Sequence, residues 1–172
     1  MVRARLAAPI LALALTALLG VTMSACGDPK VSPEEGAEAT TASRAVVEDA
    51  VRSLADVAEG VGLDLRPLSG GWSVCTAEPP SLEYSAGGSA KPPGTTTEAI
   101  AALTEALETE GWTVENAGTE PRPYAVLVRD DLRASLGESR RHPGEVDAGV
   151  GGPCVDTTNE QDALLGETYD VS

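Results

Sequence analysis

The sequence predicts an α+β domain, a two-layer sandwich in which an antiparallel sheet carries two amphipathic helices on one face. Three observations lead there. Two segments, Ser43 to Val61 and Thr95 to Glu110, place apolar residues at helical spacing. Several short stretches alternate apolar and polar residues and follow one another through tight turns, which makes neighbouring strands antiparallel. Two helices with one apolar stripe each then need one sheet face to bury against.

Each element has its own signal. Residues 26–42 mix Gly, Pro, Ser, Thr and acids with little to bury, so a disordered tether is expected there. The first helix is expected over Ser43 to Val61, with Ser43 as a cap, Gly60 and Gly62 as stop signals, and Ala45, Val46, Val47, Ala50, Val51, Leu54, Val57, Ala58 and Val61 at helical spacing. Trp72 to Thr76 reads as a strand after the Gly70-Gly71 turn. Leu82, Tyr84 and Ala86 mark a second, beyond the break at Pro79-Pro80. Gly87 to Gly94 reads as a loop. Thr95-x-x-Glu98 is a capping box for the second helix; Ile100, Leu103, Ala106 and Leu107 form its stripe, and Gly111 supplies a left-handed stop.

Trp112 and Val114 begin the next strand, and Tyr124 to Val128 continues the sheet. Asp130-Asp131 reverses the chain into Leu132, Ala134 and Leu136. After a loop over Gly137 to Glu145, Val146, Ala148 and Val150 form the last strand. The α+β domain is therefore expected over 43–155. Residues 156–172 make a polar, acidic tail with only Leu164, Leu165 and Tyr169 to dock it.

The N-terminus carries a separate message. Arg3 and Arg5 precede the apolar run Leu6 to Val21, and small residues lead into a cysteine at Met23-Ser24-Ala25-Cys26, the layout of a secretory signal. The run is 16 residues long, against the roughly 20 that a membrane-spanning helix needs. Met23 is too bulky for an ordinary cleavage site after Ala25. The motif resembles the bacterial lipobox. That resemblance implies that residues 1–25 are a lipoprotein signal peptide, that Cys26 is acylated, palmitate included, and that the mature chain sits on the extracytoplasmic face of the cell membrane. Stable anchoring takes more than one acyl chain, and a diacylglycerol on Cys26 meets that need.

Charge narrows the choice of partners. The net charge of −15 becomes −17 once a signal segment with two arginines and no acid is removed. A balance that negative disfavours nucleic acid, which needs clustered cations. Arginine outnumbers lysine ten to two and phenylalanine is absent, a bias that fits a GC-rich genome such as an actinobacterium's. With Cys26 taken by lipid, Cys75 and Cys154 remain as an even pair in an oxidising compartment, which argues for a disulfide. Closing a loop of about 79 residues would contribute roughly 4.5 kcal/mol. A redox or metal pair would need CxxC spacing or further ligands, and the sequence offers neither.

The layout is similar to that of small actinobacterial cell-envelope lipoproteins, the mycobacterial LppA-type group among them. The residues that carry the resemblance are the lipobox cysteine, the helix ending in Gly62-Leu63, Trp72 with Cys75, Gly111-Trp112-Thr113-Val114, a late hairpin, and Gly152-Pro153-Cys154-Val155. It covers about Ser43 to Val155 by architecture, and it implies no particular activity.

Candidate sites are few. His142 is the sole histidine, set in the turn Arg140-Arg141-His142-Pro143-Gly144, so a Ser/His/Asp triad or a zinc site has little to build on. Asp156 to Asp162 spaces oxygens like a calcium loop, but Gln161 stands where the EF-hand needs glycine. Gly149-Val150-Gly151-Gly152 lacks the following helix of a phosphate cradle, and its glycines are expected to let the chain bend into the disulfide. Trp72 and Trp112 could stack sugars, but each starts an apolar strand and is expected in the core; Tyr84 and Tyr124 are open to both readings. The expectation is a non-enzymatic envelope protein without metal or cofactor, bound to the membrane through Cys26 and contacting an envelope protein or glycan. The alternatives are a small-ligand or glycan-binding module between helices and sheet, or a wall hydrolase using paired carboxylates.

Overall fold

The computed structural model describes residues 31–172; the signal segment 1–25 and Cys26 lie outside the described residues. Helix α1 (Pro33–Gly60) begins where three start signals coincide. Ser32 Oγ accepts from the Glu35 amide at 3.2 Å, the Glu35 carboxylate accepts from the Ser32 amide at 2.8 Å, and Pro33 occupies the first turn. The tether expected over 26–42 is therefore corrected, because the chain is helical from Pro33. The added turns escaped notice because they bury small and polar residues, Gly36, Thr40 and Ser43, in place of an apolar stripe. Ser43 is not a cap; it lies inside the helix, buried.

The other elements are β1 (Ser69–Ala77), β2 (Pro80–Ala90), α2 (Thr96–Thr109), β3 (Thr113–Gly118), β4 (Tyr124–Arg129), β5 (Leu132–Glu138), β6 (Val146–Gly151), β7 (Val155–Asp156), a 3-10 helix (Asn159–Leu164) and β8 (Tyr169–Asp170). The strands form one eight-stranded sheet in the order β3-β4-β5-β6-β2-β1-β8, with β7 pairing β2. Every ladder between named strands is antiparallel. Both helices lie on the same face: α1 packs on β2, β6 and β7, and α2 on β3, β4, β5 and β6. The α+β sandwich is as the sequence predicts. Gly111, at φ +87°, provides the left-handed stop after α2.

Alternation places the core. Leu82, Tyr84 and Ala86 of β2, Ala125 and Leu127 of β4, Ala134 and Leu136 of β5, and Val146, Ala148 and Val150 of β6 all point to the helices and are buried. They meet Val47, Val51 and Leu54 of α1 and Ile100, Leu103 and Leu107 of α2. Leu54, Leu103 and Leu127 are at most 1 % exposed, so truncating any one to alanine should cost about 2–5 kcal/mol.

Two further expectations change. Gly87 to Ala90 continue β2 where a loop was expected, because Gly87 pairs with Gly149 of β6. The strands approach so closely there that a Cβ on Gly149 would stand 2.7 Å from the Ala86 carbonyl oxygen. Glycine at 149 serves this close contact and not a bend towards the disulfide.

The tail 156–172 is the second change, since it docks. The Thr158 and Gln161 side chains cap the 3-10 helix reciprocally, and Gln161 Nε2 donates to the Pro33 carbonyl at 3.4 Å. β8 covers the edge of β1, and the Val171 amide donates to Leu68 O at 3.1 Å. Val171 itself is 3 % exposed. The packed unit thus runs from Pro33 to the C-terminus, beyond the 43–155 expected. Cys75 and Cys154 are joined, with Cα atoms 6.2 Å apart, tying β1 to the segment between β6 and β7.

Candidate functional site: the open face of the sheet

Among the described residues, the side of the sheet away from the helices carries no second layer. Its residues are the alternate positions of the strands just described, and across β2, β6 and β5 they form rows. Ser85, Gly151 and Arg133 stand side by side, then Gly87, Gly149 and Ser135, then Ser89, Asp147 and Gly137. Seven of these nine are glycine or serine, so the floor is built largely of hydroxyls and bare backbone. It forms the bottom of a shallow groove of about 1050 Å³.

Polar side chains rim this floor. Arg133 pairs with Glu115 at 2.6 Å, and Ser89 donates to Asp147 at 2.6 Å. Arg140, Arg141 and His142 border one end from the β5–β6 loop. That loop is braced from below. Ser139, 2 % exposed, accepts from the His142 amide at 3.2 Å and donates its own amide to the Glu145 carbonyl at 2.9 Å. The Glu138 carboxylate accepts from the Gly144 amide and from Thr96 Oγ1, both at 3.2 Å. A smaller hollow lies between the helices at Ser53, Val57, Ala106 and Thr109.

The residues singled out in the sequence fall in several places. Trp72 and Trp112 are core residues, 8 % and 4 % exposed. Trp72 packs against Tyr84 at 5.1 Å between ring centroids, and Arg129 lies 4.6 Å over the Trp112 ring. Tyr84 is fully buried and donates to Glu48 at 3.2 Å. Burial first, and the negative charge of Glu48 second, push its hydroxyl pKa up to about 12. Tyr124 is half-buried at the sheet margin and donates to Asn116 at 3.3 Å. His142 is exposed on its loop.

Within Asp156 to Asp162, Thr158 and Gln161 spend their side-chain oxygens on local structure: Gln161 Oε1 accepts from the Thr158 amide at 2.9 Å, and Thr158 Oγ1 accepts from the Glu160 amide at 3.3 Å. Among the described residues no group of three or more His, Cys, Asp or Glu is placed to hold a metal ion. Ser85, Ser135 and Ser139 carry no motif of their own in the sequence, and Gly87 and Gly149 read there as a loop start and as part of a Gly-rich bend. A signal was present: where one register of β2, β5 and β6 is apolar, the other is glycine and serine.

The fold is that of a small disulfide-tied α+β domain whose sheet has one face bare among the described residues. The chain matches the family model described as "Putative lipoprotein LppJ" over residues 39–172, and it belongs to that family. Membership makes it a lipoprotein, which suggests a membrane-anchored or envelope location; no helix among the described residues is long and apolar enough to cross a membrane. The lipoprotein character expected from the lipobox resemblance thus holds, with LppJ as the family that matches. No curated protein matches the chain. No solved structure matches it either.

Proposed function

We propose that this is a lipid-anchored extracytoplasmic protein, held by acyl chains on Cys26, whose open sheet face holds an envelope partner without chemistry. The observation that carries the reading is the asymmetry of the sheet. Two helices seal one face, while the other is paved with glycine and serine and left uncovered. The α1 cap at Ser32 follows Cys26 by six residues, so an extended chain places the start of α1 at most about 20 Å from the lipid.

The helix-facing side supports the surface reading over a cavity reading, because it is filled by the leucines and valines of the core. Two carboxylates of the open face, Glu83 and Asp147, stand at opposite ends of the groove. Asp147 pairs with Ser89, which lies six residues along β2 from Glu83. Glu83 and Asp147 are therefore roughly 20 Å apart along the strands, far beyond the ~5–9.5 Å of glycosidase carboxylate pairs. The reading requires neither metal nor cofactor.

Two measurements test it. Cys26→Ser should lose incorporation of a palmitate analogue and leave the membrane fraction; a labelled variant would refute the anchor. A photo-crosslinking residue at Ser135 should give adducts in intact cells that the same residue at Val46, exposed on α1, does not. Equal adducts from both positions would refute the open face as the working surface.

A further inference from the structure

Eight arginines fall among the described residues, and five of them are engaged. Arg44, Arg52, Arg66 and Arg133 reach carboxylates within 4.0 Å, and Arg129 lies over Trp112. Arg122, Arg140 and Arg141 are exposed and reach none among the described residues. All three stand on the two turns at one end of the sheet, between β3 and β4 and between β5 and β6. The Glu138 amide joins those turns by donating to Pro123 O at 3.1 Å. Glu138 itself is spent on bracing the loop, and the neighbouring Glu120 and Glu145 close no ion pair among the described residues.

In a chain of net charge −15, cations left without a carboxylate on a braced loop have their complement outside the chain. The groove beside them names its kind. Protein interfaces centre on well-packed aromatic, aliphatic and arginine anchors; the floor offers Ser85, Ser135, glycines and backbone, with the Asp147 carboxylate held by Ser89 and Glu83 at the far end. Hydroxyls and backbone amides suit saccharide hydroxyls, and guanidinium groups suit carboxylates or phosphates.

Topology sets the direction. The start of α1 touches Gln161, and the Thr157 amide donates to Pro80 O at 2.9 Å, so α1 starts at the end that carries the β1–β2 turn. The strand registers put the arginine turns at the opposite end. A chain anchored at Cys26 therefore aims them away from its own bilayer.

We propose that the arginine end of the open face, with the serine and glycine floor beside it, docks an extended anionic glycan, a saccharide polymer bearing carboxylates or phosphates. The proposal rests on the open face being the working surface. It is tested with the full chain in neutral detergent, by biolayer interferometry against polygalacturonate, with dextran and polyglutamate as comparators. Polygalacturonate should bind, dextran should not, and added salt should weaken the complex. Arg140→Gln with Arg141→Gln should weaken binding roughly tenfold or more, Ser135→Trp should also weaken it, and Arg66→Gln should not, with unchanged melting curves throughout.

Undiminished binding in the double arginine variant, or tighter binding of polyglutamate, would overturn the proposal. So would binding of the Cys26→Ser chain to phosphatidylglycerol vesicles with the same arginine dependence, which would point to lipid head groups. If Ser135 gives its specific crosslinks while polygalacturonate fails to bind, the glycan falls and the open-face reading stands. If the arginine variant weakens binding and Ser135→Trp does not, the open face itself is refuted.

Discussion

Tyr84 shows how much one side chain holds in this fold. Its ring packs at a tilt against Trp72 and edge-on against Tyr169, at 5.1 and 6.0 Å between centroids, and its hydroxyl donates to Glu48 of α1. Gly70 makes room for it, since a Cβ there would stand 2.7 Å from Tyr84 Cζ. The folded pKa of about 12 exceeds the ordinary value of 10.0, so folding favours the protonated hydroxyl. That contribution is complete below pH 10 and is lost as pH rises towards 12. Urea midpoints should therefore fall over this window, and Tyr84→Phe should flatten the decline. At pH 7 the same variant should lose about 1–3 kcal/mol, the worth of a hydrogen bond to a charged acceptor. An equally steep alkaline decline in Tyr84→Phe would assign the effect to other groups.

Among the elements, the last few residues carry more than their polarity suggests. β8 covers the upper edge of β1, Val171 is buried, and Tyr169 lies under the Arg44 guanidinium at 3.8 Å while its hydroxyl donates to Glu167 at 2.6 Å. Ending the chain after Gly166 would expose that edge and remove one buried valine and one cation–π contact. The expected loss is about 3 kcal/mol in chemical denaturation, with a rise in aggregation from the unpaired edge. No change in the unfolding midpoint would mean that the tail rests on the domain without stabilising it.

For the molecule as a whole, the Cys75–Cys154 bridge ties residues 79 positions apart. It restricts the unfolded chain more than it shapes the folded one, so removing it should destabilise by about 2–5 kcal/mol while leaving the sheet intact. Reduction under native conditions, followed by urea unfolding, measures this against the oxidised protein. An unchanged midpoint would show that the unfolded chain is already compact without the bridge. Domains of this size hold only about 5–15 kcal/mol in total, so the bridge is a large share of that margin.

Periodicity and capping by themselves determined the two-layer α+β class, the second helix from its Thr95–Glu98 box, and the meander from β3 to β6, because these depend on contacts near in sequence. The cysteine count likewise determined the pairing of Cys75 with Cys154. Tertiary structure decided what involves distant partners or small residues. The start of α1 is written locally in its Ser32–Glu35 box and Pro33, but its first turns pack through Gly36 under Gln161 without an apolar stripe, and Gly87 with Gly149 turns an apparent loop into strand. The open face belongs with them. Ser85, Gly151 and Arg133 lie far apart in the chain and become one row only when β6 pairs with both β2 and β5, since register between strands is set by the whole buried face and not by any strand alone.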